Sequence, residues 1–247
     1  MKNLLLLFGC IIGFCMSAQT YSRQNISLLS VISPDTAQPR TGNIYSGCWG
    51  WYQADKKKEY AIAGGRNGTY FIDVTNPSNP VVCDYVPGIS ENCTWREVKT
   101  YRNYCYIVSD YCSPNGFQIV DMRYLPDSVK IVHSDDTLIR LGHAAWVDKD
   151  KLYISSTGFG PGGGNSPMTV WSLTDPENPV LYRRLEQDDK TVNDVHDMYV
   201  RTDTVYASAG FQGLRIYKLE SDSSFRPLGS YSSYDGSAYN HSSFLTA

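Results

Sequence analysis

"WREVKTYRNYCYIVS", residues 95–109, reads as a strand, a polar two-residue turn at Arg102-Asn103, and a second strand. The pattern returns without gaps as "GHAAWVDKDKLYISS" (142–156), which turns at Lys149-Asp150. It returns again as "VHDMYVRTDTVYASA" (195–209), which turns at Thr202-Asp203. A looser copy with a longer turn occupies 47–65, "GCWGWYQADKKKEYAIAGG". Arg96, His143 and His196 each stand ten residues before Tyr106, Tyr153 and Tyr206, and the series Tyr60, Tyr106, Tyr153, Tyr206 advances by 46, 47 and 53 residues. A period of that size marks a stack of supersecondary units rather than one irregular domain.

Each copy continues into a third strand: "GTYFIDV" (68–74), "GFQIVDM" (116–122), "PMTVWSL" (167–173) and "GLRIYKL" (213–219). Gly68, Gly116 and Gly213 share one repeat position, with Pro167 in the remaining copy. The near-identical turns "TNPSNPVV" (75–82) and "TDPENPVL" (174–181) then lead to a fourth strand, because Asn-Pro and Asp-Pro leave the helical region and Pro-Val resumes an extended chain. Four strands per unit predicts an all-β β-propeller of four-stranded blades at about 44–90, 91–136, 137–188 and 189–233. "NISLLSVI" (25–32), within an N-terminal segment 19–43, matches an outer fourth strand. His241-Ser-Ser-Phe-Leu, within 234–247, matches the first strand of a fifth blade. Four complete blades with partial ones at the ends predict a fragment of a larger propeller.

Residues 1–18, with Lys2 ahead of an apolar run from Leu4 to Cys15 and small residues at Ser17-Ala18, read as a secretory signal peptide. That run is shorter than the roughly 20 residues of a membrane helix, and the mature chain carries no transmembrane segment. Secretion or display at the cell surface follows as the expected location. The net charge of −3, with basic residues scattered, argues against a nucleic acid partner. Five cysteines follow the signal: Cys48, Cys83, Cys93, Cys105 and Cys112. Without CxxC spacing they favour disulfides over a zinc-thiolate site, with Cys48–Cys93 and Cys105–Cys112 as candidate pairings and one cysteine over.

The repeats resemble the LVIVD-repeat β-propellers, specifically the secreted choice-of-anchor B family, through "NGTYFIDVTNPSNPVVCDYVPG" (67–88), "WREVKTYRNYCYIVS", "DPENPV" (175–180) and "HDMYV" (196–200). The resemblance implies export, frequently with a C-terminal anchoring or sorting signal, and no established catalytic activity.

In a propeller the first strand of each blade lines the axis, so residues opening those strands converge. Arg96, Glu97, His143, His196, Asp197 and His241 are therefore the candidate ligand-binding set on the axial face. Two chemistries compete for them. His143, His196, Asp197 and His241 could bind a divalent metal ion, since neutral imidazole is a common donor and a carboxylate completes the set. Alternatively each histidine satisfies loop carbonyls where blades meet. Trp49, Trp51, Tyr52 and Trp95 lie near the same strand starts and could stack on a sugar or pack between blades. The segment 156–167, "STGFGPGGGNSP", reads as a flexible hairpin connection. No GxSxG elbow or HExxH motif occurs. The expectation is a non-catalytic binding or adhesion module for an extracellular protein or carbohydrate ligand. The alternative is a metal-dependent hydrolase or lyase with a His/Asp site at the axis.

Overall fold

A computed structural model describes residues 24–34 and 44–246. The expected signal peptide lies outside them. The chain is all-β, built as four consecutive antiparallel meanders. The first holds β1 (Tyr45–Gln53), β2 (Lys58–Gly65), β3 (Gly68–Asp73) and β4 (Val81–Pro87). The second holds β5 (Trp95–Tyr101), β6 (Tyr104–Asp110), β7 (Phe117–Asp121) and β8 (Lys130–Asp135). The third holds β10 (Ala145–Asp148), β11 (Lys151–Phe159), β12 (Asn165–Ser172) and β13 (Val180–Arg184), with the short β9 (Ile139–Leu141) added to β11. The fourth holds β14 (Asp197–Arg201), β15 (Thr204–Ser208), β16 (Leu214–Leu219) and β17 (Phe225–Tyr231). These are the four-stranded blades the repeat predicts.

The two-residue turns fall where the sequence puts them, joining Tyr101 to Tyr104, Asp148 to Lys151 and Arg201 to Thr204. Arg102, Lys149 and Thr202 each take a positive φ of 53° to 55°, the left-handed first position that suits the twist of a tight hairpin. The shared glycine has an equally local cause. A Cβ on Gly68 would meet Val86 O at 2.3 Å, and one on Gly213 would meet Tyr231 O at 2.3 Å. At these two glycines the outer strand passes too close for a side chain, while blade three accommodates Pro167 at the same repeat position.

Between blades the sheet faces interlock. One core joins blades one and two through Trp51, Tyr60, Ile62, Val98 and Ile107. A second joins two and three through Tyr106, Phe117, Ile154 and Trp171, and a third joins three and four through Tyr153, Met168, Met198 and Tyr217. Tyr60, Tyr106 and Tyr153 of the repeat are fully buried, so the repeated tyrosine is a packing residue that fills the space between neighbouring sheets. The outermost strands β4, β8, β13 and β17 are the least buried of their blades. Blades are also pinned directly: Trp51 Nε1 donates to Arg102 O at 2.8 Å, and Trp146 Nε1 donates to Val200 O at 2.8 Å.

Residues 25–32 and 241–245, expected as end strands of incomplete blades, join no sheet among the described residues; Ile26 and Val31 are exposed, and residue 240 contributes an isolated bridge to Gly210. Two expectations are corrected. The glycine-rich segment 156–167 is mostly strand: β11 and β12 stay paired out to Gly158–Asn165, leaving only a short turn. The candidate disulfides are replaced by Cys93–Cys112, with Cys48, Cys83 and Cys105 free.

Candidate functional site

Antiparallel pleating decides what faces the axis. Along β5, Glu97 and Lys99 are two residues apart and point the same way, while Arg96 and Val98 point back into the blade interface. The two directions have different fates. Glu97, Lys99, His143, Trp146, His196, Asp197 and His241 line one cavity of about 650 Å³. Arg96 does not line it. Its side chain is 2% exposed, and Nε donates to Gly65 O at 3.0 Å.

Arg96 thus leaves the expected axial set, and the cause is local. In blade two the strand begins at Trp95, ahead of the aligned position, so the pleat turns Arg96 inward. In blades three and four the strands begin at Ala145 and Asp197, after it, and His143 and His196 turn toward the cavity before pairing starts.

The histidines form a chain. Nδ1–H of His143 donates to Asp110 Oδ2 at 2.9 Å, His143 Nε2 lies 3.0 Å from His196 Nε2, and Nδ1–H of His196 donates to the His241 carbonyl at 3.0 Å. The His196 and His241 ring centroids are 4.0 Å apart. Burial, followed by the nearby His143 and His241, lowers the pKa of His196 and favours its neutral form. The backbone register of β5 with β6 brings Asp110 opposite Trp95, which is how a residue from the far end of a hairpin reaches this site.

Glu97 and Asp197 occupy the same repeat position in blades two and four. Burial raises the pKa of each. Asp197 raises Glu97 further by like-charge repulsion, against the opposing pull of Lys99, whose Nζ lies 3.5 Å from Glu97 Oε2. Lys99 is buried beneath the cavity, its ammonium 4.2 Å from the Trp49 ring centroid and 5.7 Å from that of Trp146. The tryptophans of blades one and three meet edge to face at 5.7 Å across the axis.

Of the expected aromatics only Trp95 lines the cavity, with its ring edge toward His143. Trp49 and Trp51 bond to Thr100 and Arg102 of the next blade, and Tyr52 is exposed. Lys99, Asp110, Trp146, Tyr239 and Ser156 belong to the lining, but the expected set missed them. Period-two alternation from Glu97 points to Lys99 in the sequence itself; Asp110 and Tyr239 carry no such signal.

The disulfide ties the entry of β5 to the loop after β6, beside Asp110 and Tyr111 on the cavity rim. It closes a loop with a sequence separation of 19 residues. Replacing both cysteines with serine is expected to cost about 3 kcal/mol of unfolding free energy, read from denaturant titrations, through the restored entropy of the unfolded loop. An unchanged midpoint would show that the bridge constrains nothing.

The class this architecture defines is a propeller with a half-open pocket at its axis, lined by carboxyl, imidazole and aromatic side chains. Solved structures share the fold. A periplasmic gluconolactonase from Pseudomonas aeruginosa is similar at a TM-score of 0.50 and 11% identity, over 78% of this chain and 60% of that one. A Bacteroides uniformis protein described as a candidate 6-phosphogluconolactonase is similar at 0.52 and 12%, over 80% and 57%. The computationally designed Ika8 protein is similar at 0.50 and 10%, over 78% and 50%. The chain therefore spans about half to three fifths of those structures. No protein-family model matches it, and no curated protein does.

The expectation of a non-catalytic binding or adhesion module is corrected at this point. Natural proteins that share the fold are described as enzymes, and the axial face carries two partly buried carboxyl groups of raised pKa with three histidines lining the same cavity. A carboxyl group in a cleft whose pKa is raised by burial is a candidate reactive group.

Proposed function

We propose that the protein is a hydrolase that opens a cyclic sugar ester, a lactone, in the axial pocket. The observation that carries the reading is that Glu97 and Asp197, from blades two and four, line one cavity, with burial raising the pKa of each. Their mutual repulsion favours ionising one of the two at a time, and the first ionisation is assigned to Asp197. As general base it takes a proton from the attacking water. Glu97, kept protonated to higher pH, returns a proton to the ring oxygen as it leaves. Lys99, next to Glu97, supplies positive charge where the carbonyl oxygen becomes an oxyanion. Trp95, Trp146 and Tyr239 offer ring faces to the apolar face of a sugar. The lactonase descriptions of the two natural fold neighbours support an ester rather than a glycoside as substrate.

The test is acid release from glucono-1,5-lactone and a panel of related lactones in a pH-stat, corrected for spontaneous opening. Saturable, enzyme-dependent release is expected. Release no faster than the uncatalysed rate across the panel overturns the reading.

The repeat's resemblance to LVIVD, choice-of-anchor B propellers and the reading of 1–18 as a signal for export belong to the same proposal. The Cys93–Cys112 disulfide supports an oxidising compartment, and no helix among the described residues is long and apolar enough to cross a membrane.

A further inference from the structure

The two central histidines are oriented as metal ligands are. An ionised carboxylate and a backbone carbonyl only accept hydrogen bonds, so Asp110 and the His241 carbonyl fix the N–H of both rings at Nδ1. A neutral imidazole has one N–H. With both rings neutral, the Nε2 atoms of His143 and His196 present lone pairs to each other across 3.0 Å, an arrangement that calls for a cation, a proton or a metal ion, between them. Tying the far nitrogen of each ring to a carboxylate or a carbonyl is the support that ligating histidines ordinarily receive.

We propose that His143 Nε2 and His196 Nε2 hold a divalent transition-metal ion of the zinc class at the cavity wall. Bonds of about 2.0–2.1 Å in tetrahedral geometry would separate the two nitrogens by roughly 3.3–3.4 Å, so the rings need part by only a few tenths of an ångström. Among the described residues no group of three or more His, Cys, Asp and Glu side chains is already gathered as a ligand set. The two histidines supply the protein donors, and water from the open cavity fills the rest of the shell. Such an open shell suits an ion that meets substrate rather than one that only braces the fold. Of the four expected donors, His143 and His196 are retained, Asp197 is not, and His241 serves through its backbone carbonyl as the orienting partner of His196. The inference stands on this geometry and does not require the lactonase reading.

The experiment is calorimetric titration of chelator-stripped protein with ZnCl₂ and with MnCl₂, without substrate. One equivalent of zinc is expected to bind, with manganese weaker. The double variant His143→Gln/His196→Gln should lose at least 100-fold in affinity. Asp110→Asn, which removes only the orienting carboxylate, should lose about 10–100-fold. Circular dichroism of each variant establishes that it is folded. Should the double variant fail to fold, Asp110→Asn and the visible spectrum of bound Co²⁺ carry the test. Parent protein that binds zinc no more tightly than the double variant or Asp110→Asn overturns the proposal and leaves a proton as the cation between the rings. Zinc binding without lactone hydrolysis would count against the proposed function alone, and hydrolysis by stripped protein that binds no metal would count against this site alone.

Discussion

Asp197→Asn is expected to lower kcat for lactone opening by about 10²- to 10⁴-fold, the range in which a positioned general base contributes. KM should change little, because the asparagine fills the same space and only proton acceptance is lost. Glu97→Gln should cost a similar factor through loss of the proton donor. Both variants should also be more stable than the parent at neutral pH. A carboxyl whose folded pKa lies above its unfolded value binds more protons in the native state. Stability therefore falls as pH rises from the ordinary carboxylate range up through the raised folded pKa, and an amide removes that loss. Activity falling while the denaturation midpoint rises is the combined signature of a strained catalytic pair. A structural carboxylate that ties blades together would lose stability instead.

Phe117→Ala should destabilise the fold by about 3–5 kcal/mol, measured by denaturant unfolding. Phe117 is fully buried between blades two and three, stacked on Tyr106 at 6.3 Å and 14° and tilted against His133. The flanking sheets are held apart by neighbouring side chains such as Ile154 and Trp171, so the space left behind cannot readily collapse. Total stabilities of single domains run to roughly 5–15 kcal/mol, and one truncation of this size consumes a large part of that. A cost below 1 kcal/mol would mean that the blade interface is not the principal source of stability.

Much of this was legible in the sequence, for a physical reason. Tight hairpins demand particular turn residues, the outer strand's close approach demands glycine at 68, 116 and 213, and the gap between sheets demands a large ring at 60, 106 and 153. Those demands recur with the period, so they print themselves on the chain. His143, His196, His241, Glu97 and Asp197 were placed together by the same periodicity. Arg96 was misplaced because a shift in where one strand begins reverses a side chain, and strand starts are set by loop packing rather than by the repeat. Cys93–Cys112 was hidden for a related reason: the path of two loops in space decides which thiols meet. Asp110 enters only through hairpin register. The catalytic reading was invisible in composition, since a buried carboxylate and a solvated one are the same letter.

The pH dependence of kcat/KM for lactone opening tests the acid–base pair most directly. The parent should give a bell whose two limbs belong to the coupled pair as a unit, with the acidic limb displaced above the ordinary carboxylate range. Glu97→Gln should abolish the alkaline limb and Asp197→Asn the acidic one. A bell that keeps both limbs unchanged in the two variants would place the chemistry elsewhere on the molecule.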